Sequence, residues 1–300
     1  MTTAETLGPT AAPRTGHRRR GLVYGAIGVA IFAGSLPATR AAVLGLDVFF
    51  VTACRAAIAG LLAGVLVLVT RQRLPNPREA LALLIVAGGT VLGFPLLTAL
   101  ALKSVPAAHA IIFVGALPLA TSGFALLQRG ERPRAAFWPW AVGGSATVVL
   151  YALWHTRGGF ATPDLLMLAA MLVCGLGYAE GSRIAKHIGS WQVICWALIL
   201  SLPVSLPATL LLLPAAPGAV PPQSWIGLAY VTLFSMLIGF FFWYRGLAEG
   251  GVARVSQVQL FQPFLGFVFA ALTLGEPISP DLPLVALIIV LCVAQARRHA

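Results

Sequence analysis

Two stretches of the chain carry the same landmarks in the same order: residues 104–133 (SVPAAHAIIFVGALPLATSGFALLQRGERP) and residues 250–278 (GGVARVSQVQLFQPFLGFVFAALTLGEPI). In each stretch a proline stands inside an apolar run, and the glutamate of a Gly-Glu pair follows 13 residues later. The matching landmarks, at a constant offset of 145 residues, are Pro118 with Glu131 and Pro263 with Glu276. Such self-similarity indicates that the chain contains two copies of one structural unit.

The composition predicts a membrane protein. Of the 300 residues, 59% are hydrophobic and 10% are charged, whereas an ordinary soluble domain carries about 25% charged residues. Apolar stretches of about 20 residues recur along the chain, and each is long enough to cross a hydrocarbon core about 30 Å thick. We therefore predict an all-α membrane protein with about ten transmembrane helices, near residues 21–39, 48–69, 80–102, 107–127, 135–154, 163–182, 190–213, 224–247, 252–274 and 281–296.

The basic residues predict the orientation. With the N-terminus inside and ten crossings, sixteen of the 20 lysines and arginines fall on the cytoplasmic side. This bias is typical of a bacterial plasma-membrane protein with both termini in the cytoplasm. Residues 1–20, rich in Thr, Ala and Pro, are expected to form a disordered cytoplasmic tail. A cleaved signal peptide is the alternative for the basic start and the apolar run that follows it, but the repeat requires the first span.

Each copy of the unit has five crossings, an odd number, so the second copy must sit upside down relative to the first. We predict a first five-helix repeat over residues 21–158 and a second, inverted repeat over residues 159–300. Secondary transporters use inverted repeats, because two mirror-related halves can open a site at the membrane midplane to either side in turn. A gene duplication without a role in transport is the alternative.

The two stretches resemble the paired EamA repeats of the drug/metabolite transporter superfamily, in which a helix of small residues leads to a proline and ends in Gly-Glu. Residues 24–43 and the Thr52-Ala-Cys-Arg55 segment resemble that family's first two helices. The Trp243-Tyr244-Arg245-Gly246 turn is similar to amino-acid exporters of the YddG type, although Gly93-Phe94-Pro95 is less polar than in such exporters. The resemblance implies a ten-helix EamA-like basket that exports amino acids, aromatic ones included, or related metabolites. Multidrug efflux is the alternative.

The sequence offers little support for other classes of function. An intramembrane protease, a metal hydrolase or a prenyl transferase would need a Ser/His or paired-Asp arrangement, a His-Glu-x-x-His motif or clustered aspartates. The three aspartates, Asp47, Asp164 and Asp281, stand alone at helix ends, and no Gly-x-x-x-x-Gly-Lys loop for ATP occurs. We therefore predict no enzyme activity, no cofactor and no metal, with a small solute, the lipid bilayer and coupling protons as partners and no nucleic acid. A passive channel is the remaining alternative.

Four residues within the spans are candidates for the transport cycle itself. Pro118 and Pro263 each remove a backbone hydrogen bond within a helix and are predicted hinges, with a tolerated bend as the alternative. Glu180 is flanked by small and apolar residues and is the candidate for proton coupling, although an ion pair with Arg183 or Arg245 is also possible. Arg55 lies inside the second span. It either takes part in transport, or has a structural role, or extends its side chain toward Asp47 and the outer face.

The predicted substrate-binding residues come from several spans. On the ninth, Ser256 and Gln259 share a helical face with Pro263, and polar side chains there indicate either the wall of a wet cavity or contacts between helices. His109 is a candidate that could instead lie at the membrane interface. The predicted lining is Phe94, Thr98, His109, Tyr178, Trp243, Tyr244, Ser256, Gln257 and Gln259.

Overall fold

The structure, a computed structural model, describes residues 15–128, 133–156, 161–276 and 282–299. Within these ranges all regular elements are helical. They form ten helices, several of them interrupted: α1 (Thr15–Ala33 and Ser35–Gly45), α2 (Val48–Val69), α3 (Pro77–Ser104), α4 (Ala107–Leu127), α5 (Phe137–Thr156), α6 (Thr162–Ile188), α7 (Ser190–Leu211), α8 (Pro222–Gly250), α9 (Val252–Leu274) and α10 (Leu282–His299).

Eight of these ten, all except α5 and α10, are long and apolar enough to cross a membrane. In α10 a shorter apolar stretch, Leu287–Ala296, lies within the described residues. The predicted tail ends earlier than expected, because α1 begins at Thr15 and residues 15–20 are helical. Residues 1–14, Glu131 and Asp281, all of which entered the predictions, lie outside the described residues.

Local capping fixes several helix ends. The Asp47 carboxylate accepts hydrogen bonds from the amides of Phe49 and Phe50 and starts α2. Asn76 and Glu79 form a reciprocal capping box around Pro77 at the start of α3, which satisfies amides that have no partner inside the helix. At the C-terminal end of α9, Gly275 has a φ of 68° and ends the helix in the left-handed conformation that glycine adopts without strain. Short loops between the helices follow from these signals.

Irregular backbone occurs at matching places in the two copies. In α4 a 3₁₀ turn, Val114–Ala116, directly precedes Leu117-Pro118, and in α9 the 3₁₀ turn Gln257–Phe261 directly precedes Gln262-Pro263. A proline cannot donate to the preceding turn, which accounts for the change of helix type. Wide π-helical segments also interrupt α3 at Ala87–Gly93 and α8 at Val231–Ile238. They match at the same 145-residue offset to within one residue, and no sequence signal predicted them.

Helices that are equivalent in the two copies pack against each other in opposite directions. Gln192, at the start of α7, donates to Gln72, just beyond the end of α2, over 3.1 Å. The amide of Arg134, just before α5, donates to the carbonyl of His299 at the end of α10, also over 3.1 Å. The start of α4 likewise meets Glu276, just beyond the end of α9. Three pairs of equivalent helices are therefore antiparallel.

Helices α1 and α8 touch through their backbones at the end of the bundle where α1 begins, called here the N-terminal end. A Cβ atom added to Gly21 would lie 2.3 Å from the amide nitrogen of Gly250, and one added to Gly246 would lie 2.7 Å from that of Gly25. No side chain fits between backbones this close, so small residues are required. At the opposite end of the bundle, the Ser224 hydroxyl of α8 donates to the carbonyl of Ala41 in α1 over 2.8 Å.

The distribution of polarity is inverted relative to a soluble protein. Large apolar side chains such as Leu61, Val65 and Leu68 of α2 are exposed, whereas serines, threonines and glutamines are buried among the helices. In water the exposed aliphatic surface would be unfavourable, but in lipid it is the expected outer face. The polar interior is where a site can form.

Candidate functional site

Both copies of the repeat contribute to a small buried cavity in the middle of the bundle. It holds a volume of about 20 Å³ open to the centre of a water molecule, room for about one ordered water. Seven of the ten helices supply its lining: Phe32, Ser35 and Leu36 from α1, Arg55 from α2, Thr90 and Phe94 from α3, Val114 and Leu117 from α4, Tyr178 from α6, Ser235 and Phe240 from α8, and Gln262 from α9.

The most polar side of this cavity is formed by Arg55 and two serines. The Ser35 hydroxyl donates to the Ser235 hydroxyl over 2.7 Å, and Nη2 of Arg55 donates to the same Ser235 oxygen over 3.4 Å. Arg55 is only 3% exposed, and its Nε has no hydrogen-bond partner among the residues that the structure describes. Asp47 does not reach it, since that carboxylate caps α2. The arginine therefore turns into the bundle and does not extend toward the outer face.

The glutamines of α9 form a second polar group. Gln262 donates from Nε2 to the carbonyl of Phe32 over 3.3 Å, and its Oε1 has no partner in the described ranges. Gln257 and Gln259 are fully buried, and neither side-chain amide makes a hydrogen bond of normal geometry within the described part of the chain, although Gln259 lies beside Tyr178. Neither glutamine belongs to the lining of the central cavity, which α9 reaches through Gln262, so a binding role for Gln257 and Gln259 stays a prediction.

Aromatic rings pack beside the cavity. The ring centroids of Tyr178 and Trp243 lie 5.3 Å apart, and those of Phe32 and Phe240 lie 5.0 Å apart. Trp243 is completely buried, yet its indole N–H has no acceptor. The Tyr244 hydroxyl donates to the carbonyl of Gly177 over 3.3 Å. Of these predicted residues only Tyr178 lines the cavity directly, and Trp243 and Tyr244 stand behind it.

Three predicted binding residues lie elsewhere. His109 contacts the Asp164 carboxylate at 2.5 Å and joins α4 to α6 at the end of the bundle away from the N-terminus. The Thr98 hydroxyl donates to the carbonyl of Phe94 within its own helix over 2.8 Å. Ser256 is bonded to Ser122 across α4 and α9 at 3.1 Å. The structure thus brings Phe94 and Tyr178 to the cavity, whose lining contains neither these three residues nor Gln257 and Gln259.

Glu180 forms the ion pair that the sequence allowed as an alternative. The carboxylate is 5% exposed, and Arg183, one turn later on α6, donates to it from Nε over 3.1 Å and from Nη2. The side chain of Arg183 itself is 49% exposed. The pair lies apart from the central cavity, whose lining includes neither residue.

Sequence reasoning missed the hydroxyl residues of the cavity, Ser35, Thr90 and Ser235, because a single serine or threonine in an apolar span produces no periodic pattern. One signal was available: Thr90 and Ser235 are 145 residues apart. They occupy equivalent positions in the two π-helical segments, and both line the cavity. The repeat offset, applied to polar residues as well as to prolines, would have found them.

The two copies are also found by comparison with protein families, because the model of the EamA-like transporter family matches residues 19–153 and again residues 161–295. The chain belongs to the EamA-like transporter family. It is accordingly a multi-pass membrane transporter and not an enzyme, as the sequence predicted.

A relative and a solved structure extend the likeness of this EamA-like transporter over almost its whole length. It is 53% identical over 280 residues to a protein of Bacillus subtilis (strain 168) described as an uncharacterized transporter, YdeK, and the match covers 93% of this chain and 98% of YdeK. A crystal structure matches with a TM-score of 0.73 at 21% identity, covering 93% of this chain and 99% of the other. At that identity the likeness concerns the fold alone.

Proposed function

We propose that this protein is a secondary transporter with ten membrane spans that exports small polar metabolites, foremost amino acids and aromatic ones among them, by alternating access. Helices α5 and α10 serve as the two further spans, since they have 20 and 18 residues and a span needs about 20. The N-terminal end of the bundle faces the cytoplasm of a bacterial cell, because most basic residues belong to that end.

Support for inverted repeats comes from the direction of equivalent helices. Two copies related by inversion must place each helix antiparallel to its equivalent wherever the two meet. The pairs α2 with α7, α4 with α9 and α5 with α10 all meet this requirement. Two homologous halves in opposite orientation can exchange conformations. This exchange moves the opening of the site from one side of the membrane to the other.

The single observation that carries the proposal is the cavity between the two halves. It is buried and narrow, it combines a cation, hydroxyls and a glutamine amide with aromatic rings, and Nε of Arg55 and Oε1 of Gln262 have no partner within the described part of the chain. Unsatisfied buried polar groups are costly in a merely structural core. They are expected in a carrier whose substrate supplies the missing hydrogen bonds.

The remaining functional assignments concern the cycle. We assign the hinges to Pro118 and Pro263, since a 3₁₀ turn precedes each proline and leaves the helix free to bend there. We assign proton coupling to Glu180, whose one paired cation among the described residues, Arg183, is half exposed. A movement that separates the pair leaves a buried carboxylate without its cation, and such a group takes up a proton.

The test is counterflow in proteoliposomes loaded with single unlabelled amino acids and supplied externally with the same labelled compound. We expect saturable uptake of at least one amino acid, with transient accumulation above the equilibrium level. A channel gives no such accumulation, because it does not couple the fluxes of labelled and unlabelled solute. Failure of every amino acid, together with exchange of a lipophilic drug, would assign the protein to multidrug efflux instead.

A further inference from the structure

We propose that Arg55 binds an anionic group of the transported solute, foremost a carboxylate; this inference rests on the transport function proposed above and names the chemical class of its substrate. The argument depends on how charges are distributed in the described part of the chain.

Every carboxylate of the described residues has a partner away from the cavity. Each of the six either caps a helix or pairs with a basic side chain close to a helix end: Asp47 with the amides of Phe49 and Phe50, Glu79 with Arg73, Asp164 with His109, Glu180 with Arg183, Glu249 with Arg245, and Glu276 with the amides of Ala107 and Ala108. The described part of the chain thus satisfies its negative charges and places none of them beside Arg55.

Arg55 itself is a buried cation that makes fewer hydrogen bonds to the described residues than its guanidinium group can donate. A guanidinium carries five N–H donors, whereas the described residues offer it one neutral acceptor, the Ser235 hydroxyl, at the long distance of 3.4 Å. Burying a charge without a counter-charge is strongly unfavourable, and in a membrane such residues mark sites that bind ions or substrates. The missing acceptor is most simply a ligand.

Packing of the repeat unit does not require an arginine at this place. At the 145-residue offset, the position of Arg55 in α2 corresponds to Leu200 in α7. The same helix of the same unit is therefore built with an aliphatic side chain in the second copy. What distinguishes Arg55 from Leu200 is its position on the cavity, so the charge serves the site rather than the helix.

The rest of the cavity suits a small carboxylate. A guanidinium holds a carboxylate through two parallel hydrogen bonds, and the hydroxyls of Ser35 and Ser235 lie next to that fork. Gln262 lines the same cavity with an Oε1 atom that has no donor among the described residues, and an amino group on the solute would supply one. A solute that carries both groups, such as an amino acid, would complement Arg55 and Gln262 once the cavity widens to admit it, whereas a cationic drug meets an unfavourable charge at Arg55.

The experiment pairs acids with their amides. Counterflow is measured in proteoliposomes with labelled L-alanine and L-phenylalanine and with L-alaninamide and L-phenylalaninamide, which lack the carboxylate. The variants are Arg55→Leu, which installs the residue of the second copy, Arg55→Lys, and Arg78→Gln as a control at an exposed arginine. The melting temperature of each purified variant is measured in parallel, with and without L-alanine or L-alaninamide.

We expect the native protein to exchange an acid at least about tenfold faster than its amide. Arg55→Leu should fold and lose that exchange, and Arg55→Lys should raise the half-saturation concentration about tenfold while keeping the preference for the acid, because an ammonium retains the charge but not the fork. Arg78→Gln should behave as the native protein.

Equal exchange of acids and amides by the native protein, or full exchange of acids by Arg55→Leu, overturns the inference while leaving transport intact. Failure of both Arg55 variants to fold makes the arginine structural and overturns it as well. If the native protein exchanges neither acids nor amides, the proposed amino-acid transport fails. The melting temperatures then decide the inference about Arg55. The inference holds if L-alanine raises the melting temperature of the native protein, while L-alaninamide does not and Arg55→Leu responds to neither compound. Any other result overturns it.

Discussion

Helices α4 and α9 are the same element built twice, and they differ in chemistry rather than in shape. Each begins with a short α-helical segment, passes through a 3₁₀ turn and continues from a proline. The positions of Ile112, Val114 and Leu117 in α4 correspond at the 145-residue offset to glutamines in α9: Gln257, Gln259 and Gln262. All six side chains are buried.

This difference shows that the shared backbone of α4 and α9 does not need polar side chains at these three positions. The first copy fills them with aliphatic groups, which pack without hydrogen bonds. The second copy fills them with amides, most of whose polar atoms have no partner. A buried amide without a partner costs free energy of folding, and these amides occur in only one copy. This indicates that the features shared by the two copies form the scaffold, whereas the residues that differ between the copies form the site.

The largest effect is expected from converting α9 into α4. The double variant Gln257→Ile with Gln259→Val should reduce amino-acid counterflow by about tenfold or more, while its melting temperature stays equal or rises, because removing an unsatisfied buried polar group is neutral or stabilising. Both are measured on the purified protein, with the exposed Gln223→Val as control. A variant that unfolds, or that transports normally, would show that the glutamines serve the scaffold.

A smaller effect is expected at the ends of the same two helices. Glu276 accepts from the amides of Ala107 and Ala108 over 3.1 and 2.8 Å and ties the end of α9 to the start of α4. Hydrogen bonds to a charged group contribute about 1.5–3 kcal/mol each, so Glu276→Gln should shift the population toward opening at this end by about tenfold. The readout is labelling, from either side of the membrane, of Leu36→Cys in a background without the natural cysteines.

The equivalent residue of the first copy sharpens that test. If the repeats are inverted, Glu131→Gln should raise labelling from the side opposite to the one that Glu276→Gln exposes. Labelling from the same side in both variants would contradict the inverted arrangement, whatever the size of the effect.

A third comparison concerns Glu180, whose equivalent in the first copy is the cavity residue Ser35. Glu180→Gln should keep counterflow within about threefold of the native rate but abolish its dependence on pH, because an amide does not exchange protons. The matched control is Glu249→Gln, which also breaks an ion pair on a helix, Arg245 with Glu249 at 2.8 Å. A pH profile unchanged by Glu180→Gln would remove this residue from the coupling step.

The last comparison concerns the landmarks that the two helices share, and the expected effect is a modest one on the transport rate alone. Pro118→Ala and Pro263→Ala each restore a backbone donor and allow a regular helix across the 3₁₀ turn. Each should slow the maximal transport rate about two- to fivefold and leave the half-saturation concentration unchanged, because the hinge is stiffened and the cavity is not altered. Pro203→Ala, inside the regular helix α7, is the control. Equal slowing by all three would show a general effect on stability.

Much of the architecture could be predicted from the order of residues. Eight predicted spans coincide with helices that can cross a membrane, and the repeat predicted from Pro118 and Pro263 coincides with the family matches over residues 19–153 and 161–295. These features depend on local properties: apolar length determines a span, and a proline changes the helix around it. Phe94 and Tyr178, two of the predicted binding residues, line the cavity, and their role in binding stays a prediction.

Local sequence could not decide which polar residues meet. His109 and Ser256 look suited to a site, yet His109 pairs with Asp164, which is 55 residues away, and Ser256 with Ser122, which is 134 residues away. Arg55 and Ser235, which do line the cavity, are 180 residues apart. The sequence by itself determined the membrane class, the spans and the duplication, because these follow from hydrophobicity and spacing within about 20–30 residues. Only the tertiary structure decided which charges are satisfied and which one is left facing the cavity, because that depends on partners brought together by the packing of distant helices.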